Sequence, residues 1–392
     1  MKITITKVEL FPVTTPMKKP MIMPNSFIDK IHSLVIKIHT DAGIVGIGDS
    51  GDTSSWYMGE MPGTMAVMIA EHIAPRVLLG EDPRNIEKIV AKMDLLVRDN
   101  FQAKALVDFA LHDLKGKIYN MPVYDLLGGR TTEYAQLGWV LSAGEPDKVA
   151  KEAVEAHKHG YQLLKMKVGF GTIDDDIAMV EMVRKAAGAD ARLSVDANGF
   201  WDYETALRTI RKLDQYGLDL IEQPLPRWDI MGMARLREQV NTPIYADEAA
   251  QDLHHIRDII NYKAADGLFI KLQKAGGLLR SQRWLTMARL SGLPVMCGCM
   301  IGSGLEASPA AHLWVADQWA SQYLNESLGP VTINNCWDSK DIPAGNDIVK
   351  NIPRYEAGKL YPNEGPGLGV ELDEEFIERN RTPGKDVVSV SV

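Results

Sequence analysis

The chain has 392 residues, 45% of them hydrophobic, and a formal net charge of −9 at neutral pH. That length and apolar content allow a large core and two domains, one of barrel size. The acidic balance argues against non-specific nucleic-acid binding, and no apolar run approaches the roughly 18 residues that span a bilayer.

Residues 1–125 read as an α+β unit. The start "MKITITKVELF" has the alternation of a strand and lacks the pattern of a signal peptide. "ITKVELFPV" and "SLVIKIHT" alternate apolar and polar residues, and Asp41-Ala42-Gly43 is a hairpin turn between two such runs. Helical patterns follow near 64–78, 85–97 and 102–119. Two stretches of this unit read as loops over a site. Residues 16–29 carry Met21, Met23 and Phe27 beside Lys18 and Lys19, and residues 50–60 carry Trp56 and Tyr57. Methionine suits an adaptable lid; Lys18 and Lys19 read first as solvated residues, with contact to the second carboxylate of a dicarboxylic substrate as the functional alternative.

Residues 126–355 change rhythm. Strand-like runs centred near 139, 165, 195, 221, 245, 270, 296 and 324 alternate with helix-like stretches, and Gly160 and Gly217 close two of the helices. Eight such units predict an α/β fold, a (β/α)₈ or modified TIM barrel. Residues 356–392 are turn-rich and are expected to return to the N-terminal unit as part of an α+β capping domain. Three cysteines, Cys297, Cys299 and Cys336, make no disulfide framework and predict a reducing cytoplasm.

The informative pattern lies at the ends of the strand-like runs. "LLKMKV", "RLSVDAN", "LDLIEQP", "PIYADE" and "GLFIKLQK" place Lys165 and Lys167, Asp196, Glu222, Asp247 and Lys271 at steps of about 25 residues. An acidic residue after a strand is ordinarily a helix N-cap or a solvated turn. Charges at the ends of buried strands are costly unless paired or bound to a metal, and barrel active sites lie at those ends. Three carboxylates converging on one point call for a divalent cation. Without histidine among them, Mg²⁺ or Mn²⁺ is favoured over zinc.

Lys165 and Lys167 share a strand face, and Lys271 lies four strands away across the ring. Mutual repulsion and burial are expected to lower the lysine pKa towards the operating pH. Two lysines flanking a cation suit removal of a proton α to a carboxylate, with the enediolate stabilised by the metal. A Schiff-base aldolase and a non-catalytic barrel are the alternatives from other classes.

The motifs "KMKVG", "VDANGFW", "IEQP", "ADE" and "IKLQKAGGL" resemble the enolase superfamily, and within it the muconate-lactonising-enzyme subgroup. The resemblance implies a capping domain on a barrel, with Lys167 as base, Lys165 tuning it and Lys271 as the opposite acid or base. It also implies Asp196, Glu222 and Asp247 as metal ligands, supported by Asn198 and Glu248, in a homo-oligomer acting on a small carboxylate. Many subgroup members carry a glutamate after strand seven where this chain has Gly302. The strand-eight end, Asn325-Glu326-Ser327, lacks the Asp-x-Asp that binds a substrate amine in dipeptide epimerases. Glu326 is similar to the acidic residue of muconate cycloisomerases. The leading expectation is therefore a muconate-cycloisomerase-like isomerase, with a racemase or epimerase of an amino-acid derivative, or a hydroxy-acid dehydratase, as alternatives. Met23, Trp56 and Tyr57 are expected to contact substrate.

Overall fold

A computed structural model describes residues 3–23, 26–53, 56–169 and 171–392. The chain opens with three antiparallel strands, β1 (Ile5–Met23), β2 (Ser26–Thr40) and β3 (Val45–Asp49). Gly43, at φ +73°, makes the predicted turn between β2 and β3. β1 and β2 run further than the sequence suggests. The stretch 16–29, read as a loop, pairs Pro16 with Lys30 and resumes at Met21 with Ile28 after a register shift. Charged and proline residues there read as loop, yet the far end of the hairpin extends beyond the residues that pair with neighbouring strands, and its free, largely exposed edges tolerate both.

The helices of this unit fall at Pro62–Val67, Ile86–Leu96 and Phe101–Tyr119. The predicted helix at 64–78 changes its winding midway, running on as a π-helix from Met68 to Leu78 with Pro75 inside it. Proline supplies no N–H to an α-helical ladder, which accords with the wider turn. Phe101–Tyr119 is buried along nearly its whole length. It packs so closely on β3 that a Cβ on Gly46 would lie 2.2 Å from the Ala110 carbonyl, and one on Gly48 2.9 Å from that of Leu106.

The second half is α/β. A short strand β4 (Ala135–Gln136) precedes β5 (Trp139–Val140), β6 (Leu163–Lys167), β7 (Arg192–Asp196), β8 (Leu220–Glu222), β9 (Ile244–Ala246), β10 (Gly267–Ile270) and β11 (Val295–Cys297). β5 to β11 form one parallel sheet in sequence order, with helices in the connections, so the fold is TIM-barrel-like with an N-terminal cap. The expected eighth strand near 324 is not a strand. Asn325 instead makes isolated parallel bridges to Leu137 on one side and Cys297 on the other, so this short segment links the two edges of the sheet. The C-terminal part contributes β12 (Arg354–Glu356) and β13 (Lys359–Tyr361), which pair with β4, and β14 (Val388–Ser391), which pairs with β1. Among the described residues, no helix is long and apolar enough to cross a membrane.

Candidate active site

The site follows from the two-residue period of the parallel strands. Leu163, Leu220, Phe269, Met296 and Leu324 pack as one apolar cluster with Tyr245 against it. Two residues further along the same segments come Lys165, Glu222, Lys271, Gly298, Glu326 and Asp247. An apolar layer thus supports a charged layer of the same strands, at their C-terminal ends. Register aligns Lys167 with Asp196 and Asp196 with Glu222. Gly298 leaves room for its neighbour, since a Cβ there would come within 2.6 Å of the Lys271 Cε.

Every lysine in this layer donates to carboxylates. Lys165 Nζ reaches Glu222 Oε2 at 2.6 Å and also Glu326. Lys167 Nζ donates to Asp196 Oδ2 at 2.6 Å and to Asn198 Oδ1 at 3.1 Å. Lys271 Nζ donates to Asp247 Oδ2 at 2.7 Å. Asn198 sits in left-handed backbone at φ +45°, which asparagine tolerates. Its side-chain amide joins Asp196 Oδ2, at 3.2 Å, to Glu248 Oε1, at 3.0 Å.

These contacts correct one expectation. Burial alone would lower Lys165 and Lys271, but Glu222 and Glu326 around the first, and Asp247 around the second, outweigh it and raise both. Burial would likewise raise Asp247, yet Lys271 and Lys274 hold it well below the usual carboxylate range. Glu222 is raised by burial and by Asp196, more than Lys165 offsets. Glu248 is pushed up to about 7 by burial and by the charges of Asp247 and Asp196.

The donor set suits a divalent cation in its chemistry. Asp196, Glu222 and Asp247 supply oxygens only, from three successive segments, and their mutual repulsion is what a hard cation relieves. The buried Glu248 Oε2 and Glu326 Oε1 have no hydrogen-bond partner. The carboxylates are turned to lysines, so among the described residues no three acidic, histidine or cysteine side chains stand together as a ligand cluster.

One cavity collects most of the residues singled out in the sequence. Lys165, Lys167, Asp196, Asn198, Glu222, Lys271, Glu326, Trp56 and Tyr57 line it. Asp247 reaches it through Tyr57, whose hydroxyl donates to Asp247 Oδ1 at 2.7 Å and whose ring lies 4.1 Å from Lys271 Nζ. Trp56 stacks on Phe200 with ring centroids 5.5 Å apart. The Met23 side chain lies outside the described part. Lys18 and Lys19 do not line the cavity. Lys19 instead pairs with Glu152 at 2.7 Å, because its stretch of β1 faces the helix Pro146–Lys158.

Two charged residues escaped the sequence reading. Lys274 is fully buried, and Asp52 lines the cavity from the cap. Both lie inside motifs already noted, "IKLQKAGGL" and "SGDTSSWYMGE". Neither ends a strand-like run, so the spacing that exposed the others did not reach them.

The mandelate racemase / muconate lactonizing enzyme N-terminal domain model matches residues 5–128, and the enolase C-terminal domain-like model matches residues 148–376. A mandelate racemase/muconate lactonizing family protein of Azoarcus sp. EbN1 superposes with a TM-score of 0.94 at 57% identity, covering 99% of this chain and all of that one. The N-succinyl-L-Arg/Lys racemase of Bacillus cereus is 32% identical over 95% of this chain and 97% of its own length. The chloromuconate cycloisomerase of Cupriavidus pinatubonensis is 32% identical over 88% of this chain and 90% of its own.

Proposed function

The chain belongs to the mandelate racemase / muconate lactonizing enzyme family of the enolase superfamily and is an isomerase of that superfamily, and on that premise we propose that it moves a proton at the carbon α to a substrate carboxylate. The observation that carries this reading is that Lys167 and Lys271, on strand positions four apart in the sheet order, line one cavity together with Lys165.

In this reading Lys167 Nζ takes the α-proton from one face. Lys271, held as an ammonium by Asp247, delivers a proton to the other face, which inverts the centre. Lys165, between Glu222 and Glu326, is a positioning residue that fixes those carboxylates while its own charge stays neutralised. Asp196, Glu222 and Asp247 would hold Mg²⁺ or Mn²⁺. When bound, such a cation takes up charge from these carboxylates and supplies positive charge for the substrate carboxylate. Tyr57 and Trp56 close the cavity from the cap and keep water from the reacting carbon. Racemisation or epimerisation, the alternative in the sequence analysis, becomes the leading assignment because Lys167 and Lys271 both line the cavity and a lysine on each face suits inversion. Cycloisomerisation is the second, supported by Glu326 on Lys165 and by the Cupriavidus relative. We also propose a reducing cytoplasm, in keeping with three unpaired cysteines, and a homo-oligomer, in keeping with the family resemblance.

The test is incubation of the Mg²⁺-loaded enzyme in D₂O with a panel of chiral N-acylamino acids and muconates, followed by ¹H NMR and mass spectrometry. Deuterium at Cα with loss of optical activity supports racemisation. Lactone formation supports the second assignment, and the absence of both across the panel overturns the reading.

A further inference from the structure

The two sides of the catalytic cavity differ in charge. The strand ends bring three lysines, each already bonded to a carboxylate. The cap brings Met21, Ile28, Asp52, Trp56 and Tyr57. Among the described residues, Asp52 is therefore the one charged side chain that the cap turns towards the cavity. A lysine at that side, the alternative raised for Lys18 and Lys19, would have matched a second substrate carboxylate. The structure puts a carboxylate there instead.

Asp52 is held firmly and left without a cation. Its N–H donates to the Met300 carbonyl at 2.8 Å and to that of Ile301 at 3.0 Å. Its Oδ1 accepts from the His32 N–H at 3.1 Å, and its carbonyl accepts from Gln102 Nε2 at 3.4 Å. These contacts fix the residue between β2, the end of β11 and the helix Phe101–Tyr119. Among the described residues, no lysine, arginine or histidine side chain pairs with it. Burial lifts its carboxyl to about 6, with only backbone N–H groups opposing. The surroundings suit an alkyl stem that carries a positive charge. Met21, Ile28 and Met300 offer adaptable apolar surface, and Trp56 adds an aromatic face in the same loop.

We propose that the substrate carries, besides its reacting carboxylate, a positively charged ammonium or guanidinium group held away from the reacting carbon, and that Asp52 receives it. The assignment rests on the α-proton reading of the site and deepens it by naming the substrate class. It ranks cycloisomerisation of muconates, which are dicarboxylates, below racemisation, since their second carboxylate would face Asp52.

Three probes decide it: Nα-acetyl-L-lysine, its neutral counterpart Nα-acetyl-L-norleucine, and the anionic Nα-acetyl-L-glutamate. Each is measured by calorimetric binding and by Cα deuterium exchange, with the wild type and with Asp52→Asn, which keeps an acceptor for the His32 N–H. The expected result is tightest binding of the lysine derivative by the wild type. In Asp52→Asn, the ratio of kcat/KM for the lysine over the norleucine derivative falls tenfold or more, and the affinity ratio falls with it. Equal ratios in the two proteins, or wild-type preference for the neutral or anionic probe, overturn the role of Asp52. Selective binding of the lysine derivative with no exchange of any probe upholds Asp52 and counts against the α-proton reading alone.

Discussion

Lys274 Nζ donates to Asp247 Oδ1 at 2.6 Å, to the Asp247 carbonyl at 2.6 Å and to the Phe269 carbonyl at 3.0 Å, and both side chains are completely buried. One ammonium thus ties the start of the loop after β9 to the end of β10, and it sets the carboxylate that Lys271 and Tyr57 also grip. Removing one partner of a buried pair costs about 3–5 kcal/mol where the other charge is left uncompensated, but here Lys271 stays on Asp247. Lys274→Met should therefore lower the unfolding free energy in a denaturant titration by less than that, by about 1.5–3 kcal/mol, the worth of a hydrogen bond to a charged group. An exposed pair gives the control: Lys158→Ala, which breaks the contact to Glu155, should leave the denaturation midpoint close to that of the wild type.

Lys167 and Lys271 make separate predictions. If each serves one face of the substrate, their loss divides by stereochemistry. Lys167→Ala should suppress Cα deuterium exchange of one antipode by about 10²–10⁴-fold, and Lys271→Ala that of the other. Following each antipode separately by NMR checks this. Equal suppression of both antipodes by both variants would show that the two lysines do not divide the faces.

The residues that ended apolar runs were readable because a buried strand end has few ways to carry charge. Lys165, Asp196 and Glu222 each close such a run, and the structure brings them into one cavity. Lys274 sits in a helical turn after β10, where a lysine ordinarily meets solvent, and only the fold buries it beneath Asp247. Asp52 lies in an irregular stretch after β3 whose direction is set by contacts with Met300 and Ile301, far along the chain. Pro16, Lys18, Lys19 and Pro20 disguised the long β1–β2 hairpin, since they read as strand breakers. The segment around Asn325 bridges the sheet edges through isolated bridges, too short for alternation to distinguish from a loop.

Asn198 tests the cation assignment without any turnover. Its side-chain amide holds Asp196 and Glu248 in place, the kind of support behind a ligand that typically sets 10–100-fold in metal affinity. Calorimetric titration of the metal-free protein with Mg²⁺ should give one equivalent bound per chain. Asn198→Ala should weaken that binding by about 10–100-fold, and Glu222→Gln should weaken it further. An unchanged affinity in Glu222→Gln would remove that residue from the ligand set.

Glu306 predicts how stability depends on pH. It is buried beside Gly51 and Gly302, accepts from Gln273 Nε2 at 2.6 Å, and leaves Oε2 without a partner. Burial, then the charge of Asp49, lifts its carboxyl to about 8. A carboxyl raised in the folded state holds its proton there while the unfolded chain has lost it. Its contribution favours folding fully below the unfolded value of 4.5 and is lost as pH rises to about 8. Glu306→Gln keeps the shape and removes the titration, so it should flatten the fall in stability between pH 5 and pH 8.5, by about a few kcal/mol across that window. Asp347, lifted to about 7 by burial, should leave a smaller slope of the same sign in the variant. Urea unfolding at a series of pH values measures both, and parallel profiles for the wild type and Glu306→Gln would show that Glu306 is ionised in the folded chain.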